Sequence, residues 1–89
     1  MNAIVTVVGQ DRVGIIAAVC NKLASFNVNV LDISQTVMQG YFTMMMVVDV
    51  SSAALPLAEL ARKLEEKGKE ECLSIRLQRE DIFEAMHRV

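Results

Sequence analysis

Residues 2–8, Asn-Ala-Ile-Val-Thr-Val-Val, are apolar at nearly every position and rich in β-branched side chains. Such a run suits a central strand covered on both faces. Gly9-Gln10-Asp11-Arg12-Val13-Gly14 interrupts it with two glycines and three polar residues, the composition of a loop. Ile16, Val19, Cys20, Leu23 and Phe26 then recur at helical spacing, with Ala17, Asn21, Lys22 and Ser25 turned away. This helix is expected to begin near residues 12–14.

Asn27 to Met38 reads as a second strand. Leu31, Ile33 and Val37 alternate with Asp32, Ser34 and Thr36, and the alternation fails at Val30-Leu31, where a bulge or kink is expected. Gln39-Gly40 signals a tight turn into Tyr41–Val50. There Phe42, Met44, Met46, Val48 and Val50 share one face and Tyr41, Thr43, Met45, Val47 and Asp49 the other. The two strands form a hairpin. Pro56 then opens a second helix with an apolar stripe of Leu57, Leu60, Ala61 and Leu64, and Gly68 reads as its stop. Cys72 to Gln78 is the last strand, with Leu73, Ile75 and Leu77 inward. Asp81 to Val89 fits a short amphipathic helix with Ile82, Phe83, Met86 and Val89 on one side.

The order β-α-β-β-α-β predicts an α+β, ferredoxin-like sandwich: a four-stranded antiparallel sheet with two helices on one face. One domain over residues 2–79 is expected, with 80–89 as a C-terminal extension. Val5, Met45 and Val47 are expected on the helix-free face. Such apolar exposure calls for cover, by a second subunit or by the C-terminal segment.

Composition narrows the function classes. An 89-residue chain buries only about 60–65% of its unfolded surface, so pairing with a second copy is a natural remedy. The nine Lys and Arg are scattered and the net charge is −2, which leaves no basic footprint for nucleic acid. Apolar runs such as Met44–Val48 fall far short of the roughly 20 residues of a membrane-spanning helix. The chain opens directly on a strand-like segment with no signal-peptide pattern, so a cytoplasmic setting with reduced thiols is expected for Cys20 and Cys72. The two cysteines have no metal-ligand spacing, and no cofactor is implied. His87, the single histidine, has no Cys or Ser partner nearby in sequence and reads as a tail residue, not a base.

The first strand-to-helix loop is where chemistry can sit. Backbone N–H groups at a helix start are unpaired and the dipole there favours an anion. A ligand carboxylate could bind the amides of Val13, Gly14, Ile15 and Ile16, with Arg12 nearby and Asp11 available for an amine. Asn29, taken to start the second strand beside this loop, would add amide contacts. The same residues also fit a plainer reading, with Asp11 as a helix cap, Gly14 as a turn residue and Asn29 holding the bulge.

Val8-Gly9-Gln10-Asp11-Arg12-Val13-Gly14-Ile15-Ile16, followed by Phe26-Asn27-Val28-Asn29-Val30-Leu31-Asp32-Ile33, resembles the opening of an ACT domain. Asp32–Val37, Tyr41–Met45 and the closing Asp81-Ile82-Phe83-Glu84-Ala85-Met86 resemble the small stand-alone UPF0237 members of that family. The resemblance implies a regulatory domain that is not an enzyme. It would bind an amino acid or similar metabolite at a homodimer interface, through Asp11, Arg12, Val13, Gly14, Ile15 and Asn29. Val13 stands where many such loops have Pro. The stand-alone form also resembles glycine-cleavage regulators.

Three rivals compete. Acylphosphatases share the topology and use an Arg in this loop with an Asn on the second strand, roles open to Arg12 and Asn29, although Asp11 would repel a phosphate. A metal carrier could use Met44, Met45 and Met46, but neighbours on a strand point to opposite faces. A ligand-free interaction module would use an exposed apolar face alone.

Overall fold

The computed structural model describes residues 1–86 of the chain. Its elements are β1 (Asn2–Gln10), α1 (Ile15–Ser25), β2 (Asn29–Met38), β3 (Tyr41–Asp49), α2 (Leu57–Glu70), β4 (Leu73–Arg79) and α3 (Glu80–Met86). The strands form one antiparallel sheet in the order β2-β3-β1-β4. This is the expected ferredoxin-like arrangement. The two edges are β2 and β4.

Local chemistry sets the joints. Gln39 (φ 52°) and Gly40 (φ 82°) both take positive φ, the geometry of a two-residue I′ hairpin turn. The β2–β3 register shifts between Val30 and Asp32, which places Leu31 in the expected bulge.

The core lies between the sheet and the two long helices. Ala3, Val5 and Val7 of β1 and Phe42, Met44, Met46 and Val48 of β3 meet Ile15, Val19 and Leu23 of α1 and Leu60 and Leu64 of α2. Leu60 and Leu64 are fully buried, so truncating either to Ala is expected to cost about 2–5 kcal/mol. Met44 and Met46 fill the core and Met45 lies on the opposite face, as strand alternation requires.

Four sequence readings change. Val5 is not on the helix-free face: it pairs with Met46 and is completely buried beneath the helices, so strand parity puts Ile4, Met45 and Val47 on the open side. The buried stripe of α1 keeps the expected Val19 and Leu23, with Cys20 and Phe26 partly buried beside it, but it begins at Ile15 and leaves Ile16 exposed. Gly68 does not end α2, which continues to Glu70. A Cβ on Gly68 would meet the Leu73 carbonyl oxygen at 2.6 Å, so glycine is there to let the helix lie against β4. Chain reversal occurs instead at Cys72, with φ 57°. In the tail, α3 packs against β1 and β4; Phe83 is half-buried and Ile82 exposed, while His87 and Val89 lie outside the described residues.

Candidate functional site

The end of β1, the start of α1 and the end of β2 meet at one corner. The Asp11 amide donates to the Gly40 carbonyl at 2.8 Å, which ties the first loop to the β2–β3 turn. Gly14 follows in the left-handed region (φ 92°) as the N-cap of α1, and its carbonyl accepts from the Ala18 amide at 2.9 Å. Among the described residues no side chain caps this helix, and its first turn contains no acid. The amides of Ile15, Ile16 and Ala17 therefore have no partner within the helix, and no acid of its own first turn offsets the positive end of its dipole. A Cβ on Gly14 would touch nothing within 4 Å, so the space above the helix start is open.

That space is a groove of about 770 Å³. Asp11, Arg12, Gly14, Ile15, Ile16 and Ala17 line one side and Gln35, Thr36, Val37 and Phe42 the other. The expected residues separate into three groups. Asp11, Arg12, Gly14 and Ile15 come together. Ile15 is 2% exposed, so it can offer a ligand only its backbone. Val13 is 98% exposed and does not line the groove.

Asn29 lies at the opposite end of the sheet. It pairs with Asp49, which pairs with Asn2 at the start of β1, whereas the loop follows Gln10 at the other end of that strand. Eight strand positions separate Asn2 from Gln10, roughly 26 Å at about 3.3 Å per residue. The premise that β2 starts beside the loop fails because α1 carries the chain back along the full length of the sheet. It is the end of β2 that reaches the loop. Asn29 sits near a structural corner instead, where the Met1 ammonium donates to Ser51 Oγ at 2.7 Å. Hydrogen bonds from Ser51 hold the Asp49 carboxyl below its ordinary pKa.

Among the groove residues that sequence reasoning missed, Gln35 carries the amide side chain. It occupies the apolar phase of β2 between Ile33 and Val37. A polar side chain interrupting that phase was the available signal.

Arg12 is already engaged. Its Nη2 donates to Glu71 Oε2 at 2.6 Å and to the Glu71 carbonyl at 2.9 Å, just past the end of α2. Lys67 also approaches Glu71, at 3.2 Å. Arg12 first, and then Lys67, lower the Glu71 pKa. The acylphosphatase arrangement is not assembled, because Arg12 and Asn29 stand at opposite ends of the sheet. Among the described residues, no three His, Cys, Asp or Glu side chains cluster as metal ligands, and no helix is long and apolar enough to cross a membrane.

Comparison with known proteins agrees with this architecture. The ACT domain profile matches residues 2–78. A UPF0237 protein of Listeria innocua is 51% identical over 89 residues, the whole of both chains. The solved structure of an ACT domain protein from Streptococcus pneumoniae superposes with a TM-score of 0.83 at 45% identity, covering 98% of each chain. The regulatory subunit of aspartate kinase from Thermus thermophilus, in its ligand-free form, superposes with a TM-score of 0.68 at 26% identity over 86% of this chain and 50% of that one. The chain belongs to the ACT domain family.

Proposed function

We propose that this chain is a non-catalytic sensor that binds an amino acid in the groove between α1 and β2 and works as a homodimer. The observation that carries the reading is the uncapped start of α1, open beside a wall that contains one amide side chain. Free amides of Ile15, Ile16 and Ala17 suit a carboxylate. Asp11 stands on the same rim for an ammonium, and Gln35, Val37 and Phe42 face the remainder of the ligand. The likeness to a regulatory subunit of aspartate kinase supports a regulatory role.

The pairing surface we favour is the β2 edge. Leu31, Ile33, Val37 and Met38 are exposed along it, and its edge protections are limited to the bulge at Leu31 and the single charge of Asp32. The β4 edge carries Arg76 and Arg79 and has α3 beside its end. The exposed β2 edge also favours a second reading, a ligand-free interaction module.

A thermal-shift screen of the twenty amino acids separates the two. A ligand at 100 times its dissociation constant is expected to add about 2.7 kcal/mol, and Gly14→Asp, which places a carboxylate at the anion site, to abolish the response. No shift with any amino acid at millimolar concentration leaves the interaction module. Light scattering that reports a 9.9 kDa monomer at micromolar concentration contradicts the dimer.

A further inference from the structure

Four charged side chains gather at the outer end of the groove. Asp11 and Arg12 line it, and Glu71 and Lys67 stand behind Arg12. Their formal charges sum to zero. Among the described residues, Arg12 is the one cation on the groove wall, and Glu71 holds it from 59 residues away in sequence through two acceptors, a carboxylate and a carbonyl. That carbonyl belongs to the residue capping the negative end of α2. The guanidinium is thus paired before any ligand arrives, although its side chain is still 42% exposed.

We infer that Glu71 is a specificity-determining residue: by pairing Arg12 it leaves the groove without an unbalanced cation, so that the site selects zwitterions over simple anions. This deepens the proposed function and rests on the groove being the ligand site. The helix start alone would attract any anion. With Arg12 unpaired, the pull on phosphate or a dicarboxylate would be stronger still, because both sources of positive potential lie on one wall. With Arg12 paired and Asp11 beside it, only the uncharged amides remain for a carboxylate. A zwitterion supplies its own cation for Asp11, and an inorganic anion does not. Glu71 touches no ligand in this scheme and acts through Arg12.

The test uses inorganic phosphate as probe and backbone amide NMR as readout, at low salt where surface charge is least screened. Phosphate is titrated into the full chain, into Glu71→Gln and into Arg12→Gln/Glu71→Gln, following the Ile15 and Ile16 amides. The expected result is phosphate binding at least about tenfold tighter in Glu71→Gln than in the unmodified chain, the order set by one released charge a few ångströms away. The double variant is expected to lose that gain. Equal response of the unmodified chain and Glu71→Gln, including no response in either, overturns the inference, as does a gain that survives removal of Arg12. Gln keeps the size and most hydrogen-bonding capacity of Glu, and matching amide spectra elsewhere establish that the variant is folded. The amino-acid screen fails or succeeds independently of this comparison.

Discussion

The two long helices finish their ends differently. Helix α2 has Pro56 as its N-cap, Glu59 in its first turn, and Lys67 and Lys69 in its last, so charge compensates both ends of its dipole. Gly68 then seats its last turns against β4. Helix α1 has Lys22 in its last turn but no acid in its first, and neither helix has a side-chain cap at its start. One helix has its dipole offset by charge at both ends, and the other has no such charge in the turn that faces the groove. An acid in the first turn is commonly worth about 0.3–1 kcal/mol, so α1 forgoes stability that α2 has, at the end where the proposed ligand would place its carboxylate.

The largest expected effect on this contrast tests how tightly α2 sits against β4. In Gly68→Ala the new methyl would sit 2.6 Å from the Leu73 carbonyl oxygen, a backbone atom that cannot rotate aside. Overpacking of this kind costs about 1–3 kcal/mol, against up to about 1 kcal/mol gained in helix propensity. A net loss of stability in urea unfolding is expected; a gain would mean that α2 can drift off β4 freely.

Ala17→Glu gives α1 the acid that α2 already has. Ala17 is exposed in the first turn, and a carboxylate there is expected to raise ligand-free stability by about 0.3–1 kcal/mol. It should also remove any stabilisation by amino acids. A variant that is more stable and still responds to ligand would separate the open helix start from the binding site.

The smallest effect concerns the contact joining the loop before α1 to the end of α2. Arg12 and then Lys67 lower the Glu71 pKa from its ordinary 4.5 in the folded protein. A depressed folded pKa contributes stability that is fully present well above 4.5 and is lost as pH falls through the folded value. The melting-temperature difference between the unmodified chain and Glu71→Gln is therefore expected to shrink as pH drops below 4.5. A difference that grows on acidification would reverse the sign assigned to this pair.

Much of this was legible from period and punctuation. The alternation of Phe42, Met44, Met46, Val48 and Val50 identified the core face of β3, and the break at Val30-Leu31 marked the bulge. Val5 was misplaced because β1 is apolar on both faces, so its phase carries no signal until its partners are known. The misreading of Gly68 had a different cause, since a glycine required for close approach looks the same in sequence as a helix stop. For the site, Gly14 and Asp11 were readable because they adjoin the helix start. Asn29 was drawn in by sequence proximity to α1, although the helix had moved the chain to the far end of the sheet. The Arg12–Glu71 contact spans 59 residues and no local pattern announces it.

The most direct test of an open, ligand-receiving start of α1 is amide NMR on the unmodified chain, titrated with each of the twenty amino acids. Perturbations concentrated on the Ile15, Ile16 and Ala17 amides and the Gln35 side-chain amide are the expected result for at least one of them. Unchanged spectra throughout, or perturbations centred on Asn29 and Asp49 at the other end of the sheet, would contradict it.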